Sequence, residues 1–228
     1  MSRSQSLVEP LQDVTAPYRT RAARTPASPP LVFGSGVDEL PALVSLSREQ
    51  PVVARTLSDA VTALHQAPHL ASALPHLLED AMDLMGADFA NVQIVDPRDG
   101  SLVLVAQSGF GPAFLEHFAV VRDDDSVCGL AARQRTQAVV ADVRAEPTLE
   151  PHWGVFRAAG VRAVQSTPLL DGTGRLIGMI STHTPSPRGP STRSLQVMDL
   201  YSRFAGEAVA QFLDGTSPLG RAADRGRG

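Results

Sequence analysis

Behind Pro51, the apolar residues Val52, Val53, Leu57, Val61 and Leu64 recur at helical spacing, and a proline in the first turn sacrifices no intrahelical donor. A second helical period, Leu70, Leu74, Leu77, Leu78, Ala81, Met82 and Met85, stops at Gly86, a residue suited to a left-handed cap. The period then drops to two. Phe89 to Val95 alternates and predicts a strand, Asp99-Gly100 signals a tight hairpin, and Leu102 to Gln107 supplies the return strand. Short helices are expected over Pro112 to Phe118 and Val127 to Gln134, a strand over Ala138 to Val143, and a helix over Thr148 to Ala159 that ends at Gly160. Val161 to Leu170 and Arg175 to Thr184 form a second hairpin across Asp171-Gly172-Thr173-Gly174. A proline-rich bridge from Pro185 to Pro190 leads into a long amphipathic helix, 191 to 213, carrying Leu195, Met198, Leu200, Phe204, Val209 and Phe212.

Helices at both ends with antiparallel hairpins between them predict an α+β layered domain, a central sheet with helices on one face. The pattern divides the chain into a disordered arm (1–36), a helical extension (37–68), the main domain (69–214) and a flexible tail (215–228). The arm's prolines, serines and arginines offer too little apolar surface to offset the entropy of ordering.

Polar residues interrupt the strands at a few places, and these are the candidate binding positions. Asn91 and Gln93 share one strand face, Gln107 ends the return strand, Gln165 and Thr167 share a face, and so do Met179, Ser181 and His183. An apolar pocket with a few amides and hydroxyls suits a neutral or weakly polar ligand, whereas the same alternation on a half-exposed sheet would only mark its wet side. Cys128 follows Asp123-Asp124-Asp125 in the first turn of a helix that Ser126 can cap. A helix N-terminus favours the thiolate, while acidic neighbours and burial oppose it, so both a reactive and a structural thiol are open. His152-Trp153 pairs a solvent-facing histidine with a packing indole that would also stack on a flat ligand.

The motifs Cys128-Gly129-Leu130-Ala131, Val139-Val140-Ala141-Asp142-Val143, Ala159-Gly160 through Leu169, and Leu176-Ile177-Gly178-Met179-Ile180-Ser181-Thr182-His183 resemble the second half of a GAF domain. The resemblance is to the GAF sensors of bacterial sensor histidine kinases, through Asp142-Val143, Ala159-Gly160, Gln165-Ser166-Thr167-Pro168-Leu169 and Ser181-Thr182-His183. It implies a GAF-like antiparallel sheet with terminal helices on one face and a roof of loops and short helices over a ligand pocket on the other. The candidate binding residues for that pocket, read from the strand pattern and its surroundings, are Asn91, Gln93, Gln107, Cys128, Trp153, Gln165, Thr167, Met179, Ser181 and His183. The resemblance also implies a homodimer through the terminal helices and a signalling partner such as a histidine kinase. The effector is unidentified and no cofactor is expected.

Composition narrows the alternatives. Among 228 residues, 43% are hydrophobic and no run is long enough to cross a membrane. A net charge of -4 gives no pull toward nucleic acid. All 20 basic residues are arginine, as a GC-rich coding sequence would produce. One cysteine permits no intrachain disulfide and agrees with a cytoplasmic location. No phosphate loop or nucleophile elbow is present. Free methionine sulfoxide reductases look like isolated GAF domains, but their chemistry needs a second thiol to resolve the first, so no enzyme activity is expected. With too little chain after Phe212 for a kinase module, the expectation is a stand-alone sensor. The alternatives are a ligand-free interaction module, its pocket filled by Met179, Phe89 and Trp153, or a thiol sensor at Cys128.

Overall fold

The computed structural model describes residues 50–122 and 125–215, together with Ser45 and Arg48. The arm, most of the chain before Gln50, Asp123, Asp124 and the tail beyond Gly215 lie outside the described residues.

Helices α1 (Pro51–Gln66) and α2 (Leu70–Met85) form where the apolar period predicts them. His69 opens α2 with a reciprocal cap, its Nδ1 accepting from the Ser72 N–H at 3.1 Å, and Gly86 closes it at φ 57°, a conformation that penalises a Cβ. Strands β1 (Phe89–Val95) and β2 (Leu102–Ser108) pair as a hairpin, with a bulge at Val92/Gln93. The short helix α3 (Pro112–His117) and a two-residue strand β3 (Val120–Val121) follow; nothing in the period-two signal marks so short a strand. Helix α4 (Val127–Gln134) is capped by Ser126, whose Oγ accepts the Gly129 N–H at 3.1 Å. Strand β4 is three residues, Ala138–Val140, not six. The segment expected as one helix is a 3₁₀ turn (Pro147–His152) running into α5 (Trp153–Ala158), because Pro151 supplies no N–H to a continuous α-helix. Strands β5 (Ala163–Leu170) and β6 (Leu176–Thr184) lead to α6 (Thr192–Leu213).

The six strands make one antiparallel sheet in the order β3-β2-β1-β6-β5-β4. α1, α2 and α6 cover one face. Leu57 and Leu64, Leu74 and Leu77, and Met198, Tyr201 and Val209 meet Val92, Leu169 and Ile180 there. α6 reaches closest at Gly206, where a methyl group would overlap the Leu170 backbone. The other face is roofed by α3, α4, the 3₁₀ turn and α5, whose Phe110, Phe114, Phe118, Leu149 and Phe156 form a second core over Val164 and Met179.

Candidate functional site

The floor of the roofed face is set by strand register. Asn91 pairs with Ser181 and Gln93 with Met179 across β1 and β6, while Ser166 pairs with Ser181 and Val164 with His183 across β5 and β6. Directly opposed residues share a face, so Asn91, Gln93, Ser166, Ser181 and His183 all turn under the roof. All five are buried.

The roof is aromatic. Phe110 stacks on Phe114 with centroids 3.7 Å apart, and Phe114 leans on Phe118 at 4.7 Å. Phe110 and Phe114 meet His183 edge-on at 5.0 and 5.6 Å. Outside the phenylalanines, His117 Nε2 lies 2.8 Å from His152 Nδ1, joining α3 to the 3₁₀ turn through one shared proton. Burial lowers the pKa of His117, and burial together with the neighbouring His117 brings His152 down to about 4. Both rings are therefore neutral at pH 7, one donating its N–H and the other accepting it.

Between floor and roof lies a cavity of about 20 Å³, bounded by Gln93, His183, Phe114, Phe118, Cys128 and Phe156, with Asn91, Ser166 and Ser181 also on its wall. That volume admits about one water molecule. No charged residue lines it among the described residues. His183 is fully buried, with its pKa lowered to about 3 by that burial, so its ring is neutral and Nε2 donates to Asn91 Oδ1 at 3.0 Å. One of the Ser166 and Ser181 hydroxyls donates to the other at 2.7 Å, and the Gln93 amide N–H donates to the Phe118 carbonyl at 3.3 Å. Two atoms are left over. Gln93 Oε1 and His183 Nδ1 are buried with no hydrogen-bond partner among the described residues.

Five of the sequence-derived site residues, Asn91, Gln93, Cys128, Ser181 and His183, border this cavity, and Met179 packs in the core beneath it. Four do not. Gln165 and Thr167 point to the helix face, because one step along a strand reverses the side chain, and Ser166 occupies the roofed position instead. Gln107 is spent holding the turn before α3, its Oε1 accepting the Phe110 N–H at 2.9 Å. The Trp153 indole N–H donates to the Val143 carbonyl at 2.6 Å, away from the cavity. His152 is buried, not solvent-facing. Asp142 pairs with Arg162 at 2.7 Å, which holds its pKa down, and ties the roof segment to the start of β5. The roof phenylalanines Phe110, Phe114 and Phe118 recur at four-residue spacing, but only Phe114 lies within α3, so no helical or strand period in the sequence marks them as a set.

Cys128 is 8% exposed, with Sγ 3.2 Å from Ser126 Oγ. Among the described residues no group of three or more His, Cys, Asp or Glu is arranged to hold a metal. A larger cavity of about 260 Å³ lies on the opposite face, between the end of α2 and the start of α6, lined by Met85, Gln165, Thr182, Arg188, Ser191 and Ser194 among others. Its buried polar floor is self-satisfied, since Thr182 donates to Gln165 Oε1 at 3.0 Å and the Gln165 amide donates to Thr167. The roofed cavity is the one with unmet hydrogen-bonding capacity.

A six-stranded antiparallel sheet, helices on one face and a polar floor under a roof of short elements define a GAF-like α+β fold. The chain belongs to the GAF domain family, whose model matches residues 67–210. Its fold is similar to the GAF domain of an Acinetobacter phosphoenolpyruvate-protein phosphotransferase, at 14% identity, covering 70% of this chain and 93% of that one with a TM-score of 0.57. A domain of a putative two-component sensor histidine kinase from Sinorhizobium meliloti matches at 17% identity, 68% and 96% coverage and a TM-score of 0.55. The free methionine-R-sulfoxide reductase of Neisseria meningitidis matches at 17% identity, 72% and 92% coverage and a TM-score of 0.60. No curated protein matches the sequence. The family is generally one of sensory and regulatory domains, and no helix among the described residues is long and apolar enough to cross a membrane.

Proposed function

We propose that this chain is a cytoplasmic, non-enzymatic sensor domain that binds a small-molecule effector between its sheet and its aromatic roof. The observation carrying this reading is the row Asn91, Gln93, Ser166, Ser181 and His183, five polar side chains turned inward beneath four phenylalanines. A core built only for stability would be apolar there, since buried polar groups cost free energy unless all are paired. The roof elements α3, the 3₁₀ turn and α5 are six residues each, short enough to move as units when an effector enters. The signal leaves through β5 and α6, which touch backbone to backbone at Leu170 and Gly206. α1 and α6 then pass it on as the contact surfaces of a homodimer or of a partner such as a histidine kinase.

A native mass spectrum of gently purified protein tests both halves of the proposal. A dimer carrying a defined extra mass supports it; a bare monomer of sequence mass counts against it. The second reading is a ligand-free interaction module, favoured by the small size of the cavity, which is walled by Phe114, Phe118 and Phe156 in a core that also holds Met179, with Phe89 and Trp153 packed against it. The burial of Cys128 gives the thiol-sensor alternative less support.

A further inference from the structure

We infer that the effector is an uncharged molecule that presents N–H donors to the floor of the roofed cavity, an amide or a lactam-type heterocycle, and that anions are rejected. The inference rests on the effector-binding reading above and specifies its chemistry. Gln93 cannot exchange its amide ends, because rotation would set Oε1 against the Phe118 carbonyl oxygen, two acceptors facing each other. Its free end is therefore an acceptor. His183 uses its Nε2 proton on Asn91 Oδ1, which leaves Nδ1 as a bare lone pair. Both open atoms belong to side chains on one cavity wall, 0% and 4% exposed.

Two buried acceptors call for a ligand with donors. Among the described residues the lining holds no arginine to receive a carboxylate or phosphate, and no carboxylate to receive an ammonium ion. A charge of either sign would be desolvated without a counter-charge, the most costly outcome a closed site can impose. One hydroxyl of the Ser166–Ser181 pair donates to the other, and Gln93 and His183 supply the two open acceptors that decide the recognition. Phe114, Phe118 and Phe156 supply apolar walls that suit a flat body behind the donor group.

The test compares benzamide, benzylamine and benzoate, three probes that share one phenyl ring and differ in head group, benzamide and benzoate being isosteric. Binding is followed by ¹⁵N-resolved NMR titration of the amides of 110–118 and 152–158. Benzamide should bind at least tenfold more tightly than benzoate or protonated benzylamine. Gln93→Met, similar in shape but without the carbonyl, should cut benzamide affinity about tenfold and leave benzoate unchanged. The ranking on the native chain stands without the variant, should Gln93→Met fold poorly. Benzoate or benzylamine binding as well as benzamide overturns the inference while leaving effector sensing intact. The same holds if the mass retained in the native spectrum proves to be an acid. If no probe shifts a roof amide, the two acceptors are serving a trapped water only and the inference is overturned. If the native spectrum is also bare, the sensing reading falls with it.

Discussion

Buried neutral histidines should make this fold acid-sensitive in a pH range where few proteins lose stability. His183 and His152 are 4% and 3% exposed, and burial lowers their pKa values from 6.5 to about 3 and about 4. Below pH 6.5 the unfolded chain takes up protons that the folded chain refuses, so the stability present above 6.5 is lost as pH falls. Each such proton changes the unfolding free energy by about 1.36 kcal/mol per pH unit. Between pH 7 and pH 5 each histidine therefore removes about 2 kcal/mol, and the pair about 4 kcal/mol, a large part of a typical domain's stability. Asp96 and Asp171, held down at about 2, titrate below this window. Asp80 and Asp199, whose pKa values burial raises, act with the opposite sign toward its acid end. Asp125, the buried carboxylate beside His152, favours the charged ring and is a secondary influence on it. Urea denaturation at pH 7, 6 and 5 reads the effect directly. The midpoint should fall steadily, and His152→Gln should remove about half of the slope. A midpoint constant from pH 7 to 5, or a slope unchanged by the substitution, would refute the reasoning.

Two further outcomes follow from packing. Gly206→Ala puts a methyl group into the Leu170 backbone, where no rotamer change relieves it, and should cost about 2 kcal/mol or more by thermal or denaturant melting despite alanine's better helix propensity. Ser126→Ala removes the side-chain acceptor of the Gly129 N–H and should cost about 1 kcal/mol, with faster hydrogen exchange in the first turn of α4.

How much of this was legible beforehand varies by element, for physical reasons. The bounds of β1 and α4 follow from local signals, alternation for one and the Ser126 cap for the other. The two-residue β3 and the break at Pro151 do not, since neither is long enough to build a period. Asn91, Gln93, Ser181 and His183 were recognisable as sets sharing a strand face. Gln165 and Thr167 belong to the helix face, but β5 is buried on both faces, so its pattern does not distinguish roof from helices. Only the pairing of Ser166 with Ser181 decides that orientation.

By itself the sequence determined the helix and strand periods, most caps and turns, and the motif order that resembles a GAF domain. These are short-range properties, governed by where side chains fall on a helix or a strand. The tertiary structure decided which polar residues meet beneath the roof, that His117 and His152 share a proton, and that Gln93 Oε1 and His183 Nδ1 remain unpaired. Those outcomes depend on contacts between residues tens of positions apart, which strand register and packing bring together and no local period encodes.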